Sequence, residues 1–402
     1  MPTTEQVASP VRSSTARSAL RFVLLLGVVS LFADMTYEGA RSIIGPFMGM
    51  LGASAVVVGS VSGLGELVGY GLRLPAGVLA DRTHRYWAVT IAGYVVNLFA
   101  VPLLAFANNW RVAAALVVLE RAGRAFRKPP GDAMLSHAAS EMGRGWAFGV
   151  REAMDQTGAV VGPLLIGWAI ARHAAYSRVF AMLALPASLS ILALLIARWM
   201  YPAPETLEVK RPALPEVAGA DPTLLLYVIA GAFLAAGTVD FPLVAFHFAR
   251  RTVVSAEAVP YLYALAMATS AVAAPVVGRV YDRLGFGVVT AASVLPAIAA
   301  PLLFLGGEGA AAVGVALWGV GLGVQEATVR AGVADLTPSD RRASAYGVFD
   351  ATFGAAWFAG SATMGALYST HPAALVAFSV GAQVVAIFLL ADVARRRRRR
   401  AA

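Results

Sequence analysis

Residues 77–87 read GVLADRTHRYW, and residues 278–286 read GRVYDRLGF, half the length of the 402-residue chain further on. Both contain the pattern Gly-x-x-x-Asp-Arg, and both follow a long apolar stretch. A short charged pattern that recurs at half the chain length indicates two parallel copies of one unit. The repeated positions are Gly77, Asp81 and Arg82 in the first copy and Gly278, Asp282 and Arg283 in the second.

The composition is too apolar for a soluble protein. Hydrophobic residues make up 58% of the chain and charged residues 14%, with a mean hydropathy of +0.70, whereas a soluble domain carries roughly 25% charged residues. The chain has no cysteine and five histidines, which are not spaced as a helical metal pair. Disulfides and thiol chemistry are therefore excluded. With no Gly-x-Ser-x-Gly sequence either, we expect no enzyme, no metal site and no bound cofactor.

The distribution of apolar residues predicts an all-α membrane protein. A helix needs about 20 mostly apolar residues to cross a bilayer, and the chain contains twelve such stretches. We predict twelve transmembrane helices in two pseudo-symmetric six-helix bundles, over residues 20–48, 55–80, 86–106, 110–128, 146–171, 176–199, 222–248, 257–281, 286–306, 309–335, 343–368 and 372–393. The predicted divisions are an N-terminal segment (1–19), a first bundle (20–200), a polar, Pro-rich linker (201–221), a second bundle (222–394) and a basic tail (395–402).

Basic residues lie mostly on one side of these predicted helices. Because Lys and Arg are enriched in cytoplasmic loops, we predict that both termini are cytoplasmic and that the chain spans the inner (cytoplasmic) membrane several times. The run Arg395–Arg400 is interpreted as an orientation signal, with binding to anionic lipid or nucleic acid as the alternative. The formal net charge of +9 therefore does not indicate a nucleic-acid partner.

The loop at residues 77–87 resembles the 2–3 loop of the major facilitator superfamily, Gly-x-Leu-Ala-Asp-Arg-x-Gly-Arg-(Arg/Lys). His84 replaces the second glycine and Tyr86 the last basic residue. The glycine permits close helix approach, the aspartate can accept from a neighbouring helix N-terminus, and the arginines supply cationic partners. The alternative is a basic loop with no mechanical role, and the second copy of the Gly-x-x-x-Asp-Arg pattern argues against it. The predicted latch consists of Gly77, Asp81, Arg82, Arg85, Gly278, Asp282 and Arg283.

The predicted fifth helix resembles the superfamily's proton-coupled drug exporters, whose fifth helix carries Gly-x8-Gly-x3-Gly-Pro. Glycines four residues apart let another helix backbone pack closely, and the proline bends the helix. A generic packing face is the alternative interpretation, and Ile166 departs from the family pattern. The residues concerned are Gly149, Gly158, Gly162, Pro163 and Gly167. In the family this motif is associated with export. The segments around it also resemble bacterial and archaeal permeases whose substrates are unassigned.

Ionisable residues inside the predicted first, second and fourth helices are candidate site residues. Each buried charge costs about 2.5–3.5 kcal/mol on insertion scales, so several of them require partners or a function. The set contains four acids and three bases, and an acid in excess is a candidate proton carrier. Structural ion pairs, Asp34 or Glu38 with Arg121 and Glu66 with Arg73, are the alternative. The set is Asp34, Glu38, Arg41, Glu66, Arg73, Glu120 and Arg121, and Arg121 also matches an arginine of the superfamily's fourth helix.

These observations predict a secondary transporter in which two halves rock around a central cavity. The resemblance and the acid in excess favour efflux of a small molecule in exchange for protons, with the proton gradient as energy source. Asp34 is the first candidate for proton binding and Glu38 or Glu66 the second, with Arg121 as the partner released on protonation. Uptake or facilitated transport of an anionic or zwitterionic metabolite, bound by Arg41, Arg73 and Arg121, is the second hypothesis. A non-transporting membrane receptor or scaffold is a remote third. We expect a monomer whose partners are the bilayer, protons and an unidentified substrate.

Overall fold

The computed structural model describes residues 10–138, 144–203, 222–284, 286–337 and 342–401. Of these residues, 90% are helical, and no strand occurs among them. Most of the predicted linker (204–221) and part of the predicted N-terminal segment (1–9) lie outside the described residues.

In the described part of the chain, nine helices precede the linker. They are α1 (Pro10–Arg41), α2 (Ile44–Met50), α3 (Ala55–Gly71), α4 (Arg73–Thr83), α5 (Tyr86–Leu103) with a 3₁₀ turn (Leu104–Phe106), α6 (Trp110–Ala138), α7 (Arg144–Ala171), α8 (Tyr176–Met182) and α9 (Ala184–Met200). Eight helices follow it among the described residues. They are α10 (Pro222–Gly237), α11 (Phe241–Arg251), α12 (Ala258–Leu284), α13 (Phe286–Ala292), α14 (Val294–Leu305), α15 (Glu308–Leu336), α16 (Arg342–Thr370) and α17 (Pro372–Ala401).

Length and composition identify many of these segments as candidate membrane spans. Within the described ranges, nine helical segments are long and apolar enough to cross a bilayer. Three further helices, α6, α7 and α16, contain 29, 28 and 29 residues, which corresponds to about 42 Å against a hydrocarbon core of about 30 Å. The all-α membrane fold is confirmed. The count of twelve spans and the cytoplasmic termini stay predictions.

The first predicted span of each half is interrupted at a corresponding place. α1 and α2 are separated by Ser42 and Ile43, and α10 and α11 are separated by residues 238–240. Each pair of helices lies within one predicted span, but the helix is interrupted between them. Polar side chains next to each break can therefore point into the interior between the halves.

A second internal correspondence lies in the helix crossings. A Cβ atom at Gly162 of α7 would overlap the carbonyl oxygen of Met35 in α1, and one at Gly360 of α16 would overlap that of Ala236 in α10. Each glycine thus allows backbone-to-backbone packing of a kind that larger residues prevent. The repeat seen in the loops therefore extends to the way in which the helices of each half pack.

The fourth predicted span is longer than expected. The sequence places its end at residue 128, before Pro129 and Pro130, because proline removes a backbone donor and crowds the preceding turn. α6 nevertheless continues to Ala138. This extension brings Asp132 next to Arg151 at the start of α7, where the two form an ion pair.

Among the described residues, the main contacts between the halves involve four helix pairs. α3 packs along α16, where Gly59 and Gly63 lie against Ser361 and Phe358. α2 and α3 pack against α11, and α7 packs against α12.

Candidate functional site: a charged cavity between the halves

A small cavity lies between the two halves. Its volume is about 40 Å³, enough for a very few water molecules and far below the roughly 300 Å³ of a typical ligand pocket. Its charged lining residues come from α1, α3, α6 and the break before α11: Arg41, Glu66, Glu120, Arg121 and Asp240. A substrate would require this space to widen, as a rocking motion of the halves would allow.

Glu66 is the central acceptor of the cavity. Its Oε1 atom lies 3.0 Å from Nη2 of Arg41 and 3.4 Å from Nη2 of Arg121. Gly65 makes room for this arrangement, because a Cβ there would overlap the Arg121 side chain. One carboxylate thus joins two guanidinium groups from different helices.

Glu120 completes the first half's part of the cluster. Its Oε2 atom lies 3.4 Å from Nε of Arg121, and Asn97 donates from Nδ2 to its Oε1 atom at 2.7 Å. Asn97 also donates to the Glu120 carbonyl oxygen, so the amide holds both the backbone and the side chain. Glu120, Arg121 and Asn97 are all buried.

Asp240 brings the second half into the cluster. It lies at the break before α11 and is 1% exposed. Trp357 and Ser361 of α16 donate to its two oxygens at 3.0 and 2.6 Å, and Nη2 of Arg41 lies 3.8 Å away. The predicted ionisable site lies in the first half and does not include Asp240. The sequence contains a usable signal, because an acid two residues before Pro242 marks a helix start inside an apolar stretch.

Glu38 also connects the two halves, but not through the expected partner. Its Oε1 atom lies 3.8 Å from Nη1 of Arg124, and Tyr263 of α12 donates a hydrogen bond to its Oε2 atom. The expected pairing with Arg121 is not observed, because Arg121 is held by Glu66 and Glu120. Position 124 lies one turn further along α6 and faces the same side.

Asp34 lies outside the cavity lining, between α1 and α7. It is 4% exposed, and its Oδ1 atom has no hydrogen-bond partner among the described residues. The expected pairing of Asp34 with Arg121 is therefore not observed either.

Arg73 lies away from the cavity as well. The expected pair with Glu66 is replaced by an ion pair across the halves, in which Nη1 of Arg73 is 3.6 Å from Oδ2 of Asp350 in α16. The guanidinium also lies over the ring of Tyr70, 4.3 Å from its centroid. The reason is that α3 ends at Gly71 and α4 starts at Arg73, which turns position 73 away from the face of Glu66.

The predicted latch loop is exposed and ordered by its own residues. Tyr86, one of the departures from the family pattern, donates to Asp81 at 2.8 Å. His84, the other departure, has φ 52° and ψ 24°, the left-handed conformation that glycine adopts most readily. The turn is thus retained with histidine in place of glycine. Arg82, Arg85 and Arg283 are exposed, Gly77 and Gly278 have room around them, and the Asp282 side chain lies outside the described parts.

The glycines of the predicted fifth helix have different surroundings. Gly149 has open space around it, whereas Gly158 lies against the Leu31 carbonyl of α1 and Gly162 against that of Met35. Gly167 lies against Tyr261 of α12, in the other half. Pro163 lies inside α7. The motif therefore packs α7 on α1 at its centre and on the second half at its far end.

Among the described residues, no group of three or more His, Asp or Glu side chains is arranged to hold a metal ion. The cavity is lined by fixed carboxylates and guanidinium groups. These can bind charged or zwitterionic molecules, and the carboxylates can exchange protons.

Comparisons with known proteins identify the family. The chain is 42% identical over 381 residues to an uncharacterized protein of Mycobacterium tuberculosis, covering 93% of each chain. It is 29% identical over 122 residues to the multidrug resistance protein MdtH of Proteus mirabilis, covering 30% of each. The crystal structure of the nucleoside transporter NupG has the same fold, with a TM-score of 0.74 at 13% identity, covering 92% of this chain and 98% of that one. The profile of the Major Facilitator Superfamily matches residues 26–361, and the chain therefore belongs to this superfamily of membrane transporters.

Proposed function

We propose that this transporter exports a small molecule in exchange for protons, with the substrate bound in the cavity between the halves. Secondary transport follows from the superfamily, whereas direction and coupling belong to this proposal. The observation that supports it most is the composition of the cavity, where Glu66, Glu120 and Asp240 accompany only Arg41 and Arg121. Three carboxylates beside two guanidinium groups leave one acid that a proton can neutralise.

The direction of transport rests on two lines of support. The fifth-helix glycines occupy the positions of the exporters' motif, and Gly158 and Gly162 form the close crossing of α7 with α1. The partial similarity to MdtH, whose name is that of a multidrug resistance protein, points the same way. We further propose an inner-membrane location, cytoplasmic termini and a monomeric state.

The test is transport by the purified chain in proteoliposomes, with a chemically diverse panel of compounds and with or without an imposed pH gradient. We expect at least one compound to accumulate on the acidic side, against its own gradient, and a protonophore to abolish the accumulation. Accumulation that is indifferent to the pH gradient would contradict proton exchange.

A substitution sharpens this test. Asp34→Asn should leave the protein folded, as judged by its elution and melting temperature, but abolish transport driven by the pH gradient. The reason is that an amide at this buried position cannot bind and release a proton. Glu308→Gln, at an exposed position at the start of α15, is the matched control and should transport normally. Undiminished pH-driven transport in the Asp34→Asn protein would remove Asp34 from the mechanism.

The second candidate is uptake or facilitated transport of an anionic or zwitterionic metabolite. Arg41 and Arg121 in the cavity favour it, because guanidinium groups bind carboxylates and phosphates with defined geometry. Under this hypothesis, anionic or zwitterionic compounds raise the melting temperature of the detergent-solubilised protein, and cationic compounds do not. Stabilisation by cationic compounds alone would eliminate this candidate.

A further inference from the structure

Asp34 of α1 and Asp155 of α7 are two acids that the cavity does not use. Oδ1 of Asp34 and Oδ1 of Asp155 are both buried and without a hydrogen-bond partner in the described part of the chain. A buried carboxylate oxygen without a donor costs free energy, and here two of them occur on neighbouring helices. A bound ligand or a proton would stabilise such unpaired oxygens.

The packing of the two helices brings these acids to the same place. A Cβ at Gly158 would lie 3.1 Å from the Cβ of Asp34, and Asp155 precedes Gly158 by one helical turn on the same face. One turn before Asp34, the Ser30 hydroxyl accepts a hydrogen bond from Nε of Arg151, which also lies 4.0 Å from Oδ2 of Asp155. The Asp155 carboxylate is close enough to repel that of Asp34.

The charges around the pair do not balance. Facing it are the acids Glu38 of α1 and Asp132 of α6, and the bases Arg124 and Arg127 of α6 and Arg151 of α7. Further out, Glu152 and Lys128 offset each other. Together with Asp34 and Asp155, four carboxylates, of which Asp132 is the most exposed, stand against three guanidinium groups. A single added proton would make this group neutral.

A polar connection leads from this pair toward one end of the bundle. Asp132, whose side chain is 35% exposed, pairs with Arg151, and Nε of Arg151 lies 4.0 Å from Oδ2 of Asp155. In the other direction, Glu38 lies one turn after Asp34 and accepts a hydrogen bond from Tyr263 of the second half. The pair thus lies between an exposed acid and a contact that joins the halves.

We propose that Asp34 and Asp155 form a proton-binding site separate from the substrate cavity, in which the two carboxyl groups share one proton. The proton lies between the facing oxygens, and its loss leaves two repelling carboxylates across the crossing of α1 and α7. This inference deepens the proton coupling proposed above, on which its role in transport rests. The site itself requires no substrate.

The test counts the protons that the purified full-length chain binds in detergent, without substrate, between about pH 9 and about pH 5.5, above the range in which an ordinary carboxyl group with a pKa near 4 titrates. Over this range Asp34→Asn and Asp155→Asn should each bind one proton fewer than the wild-type chain, because the carboxylate that remains is balanced by the three guanidinium groups and is protonated only at lower pH. The double variant should also bind only one fewer, because both groups serve a single proton. Glu308→Gln, modified at an exposed acid, serves as the control for the loss of a carboxyl group elsewhere.

Several outcomes would overturn the proposal. A double variant that lacks two protons would show two independent acids, and an unchanged count in Asp34→Asn would show that this acid does not titrate. A melting temperature that rises with sodium chloride but not choline chloride, in the wild-type chain and not in Asp155→Asn, would assign the site to sodium. If an asparagine variant does not fold, Ser30→Ala retains both acids and should keep the count but shift the pH midpoint. An unshifted midpoint would contradict the shared site.

The proton count and the transport assay separate this inference from the proposed function. If the count supports the shared proton but no compound responds to a pH gradient, the site exists and proton-driven export fails. If export is pH-driven but the count in the two variants is unchanged, export stands and this site is wrong.

Discussion

At the scale of single residues, the main feature is how few acceptors hold the buried guanidinium groups. Glu66 contacts both Arg41 and Arg121, whereas Arg73 uses Asp350 at the edge of the interface between the halves. The bundle interior weakens solvation, so the loss of a shared acceptor leaves two charges with less compensation. Arg73 and Asp350 form a single pair at 3.6 Å, so a substitution there affects one ion pair and not two.

Glu66→Gln should therefore destabilise the protein much more than Arg73→Gln. We expect a loss of about 3 kcal/mol for the first, since it leaves two buried guanidinium groups with weaker partners, and about 1 kcal/mol or less for the second. The measurement is unfolding of both variants in the same detergent. Equal losses would show that Glu66 does not carry the cluster.

At the scale of helices, the crossing of α1 and α7 depends on particular glycines and not on glycine content. Gly149 and Gly158 belong to the same sequence motif, yet only Gly158 touches another backbone. Sequence spacing treats them as equivalent, and the packing distinguishes them.

Gly158→Ala and Gly149→Ala should accordingly have opposite effects. The added methyl group at position 158 overlaps the Leu31 carbonyl and forces the helices apart, at a cost of about 1–3 kcal/mol. The methyl group at position 149 meets nothing within 4 Å and should be neutral or improve helix stability by up to about 1 kcal/mol. Melting temperatures of the two purified variants decide the matter, and a destabilised Gly149→Ala protein would contradict this account of the motif.

The latch loop also belongs to this scale. Asp81 accepts from Tyr86 within its own loop, which keeps the carboxylate oriented while the loop is exposed. Asp81→Ala should slow transport and leave substrate binding intact, because the loop would act on the exchange between states and not on the cavity. Tyr86→Phe, which removes only the hydroxyl, should show the same effect more weakly.

The readouts are the initial transport rate and the thermal shift produced by the substrate that the compound panel identifies. Loss of the thermal shift in Asp81→Ala would mean that the loop supports the cavity instead of acting as a latch.

At the scale of the whole molecule, transport requires the contacts between the halves to open and close. Gly49 of α2 lies against the ring of Phe246 in α11, so these positions join the first half to the second. The chain contains no cysteine, and a pair introduced here would be the only thiols present.

Gly49→Cys combined with Phe246→Cys should allow a short bis-thiol cross-linker to lock the halves and stop transport. Each single variant treated with the same reagent should retain transport, since it cannot bridge the two helices. Continued transport by the fully cross-linked double variant would show that this contact does not open during the cycle.

Much of the fold was predictable because the lengths of the apolar stretches, and the positions of the charged residues between them, can be read from the local sequence. The ends of α3–α4, α5 and α8–α9 fall within a few residues of the predicted limits. The end of α6 was predicted too early, because the helix continues past Pro129 and Pro130 although proline disfavours the helix interior. Of the candidate site residues, Arg41, Glu66, Glu120 and Arg121 line the cavity as a group, and their transport roles stay predictions.

Composition and residue spacing suffice to predict an apolar helical chain, its internal repeat and a set of charges that must be buried. Which of these charges meet depends on the tertiary structure. It assigned Glu66 to two arginines, moved Arg73 to Asp350, added Asp240 from the second half and left Asp34 beside Asp155. Helix periodicity predicts which face of a helix carries a given side chain, but an ion pair requires two groups from different helices to lie within about 4 Å of each other. Helix breaks and glycine crossings between distant segments set that distance.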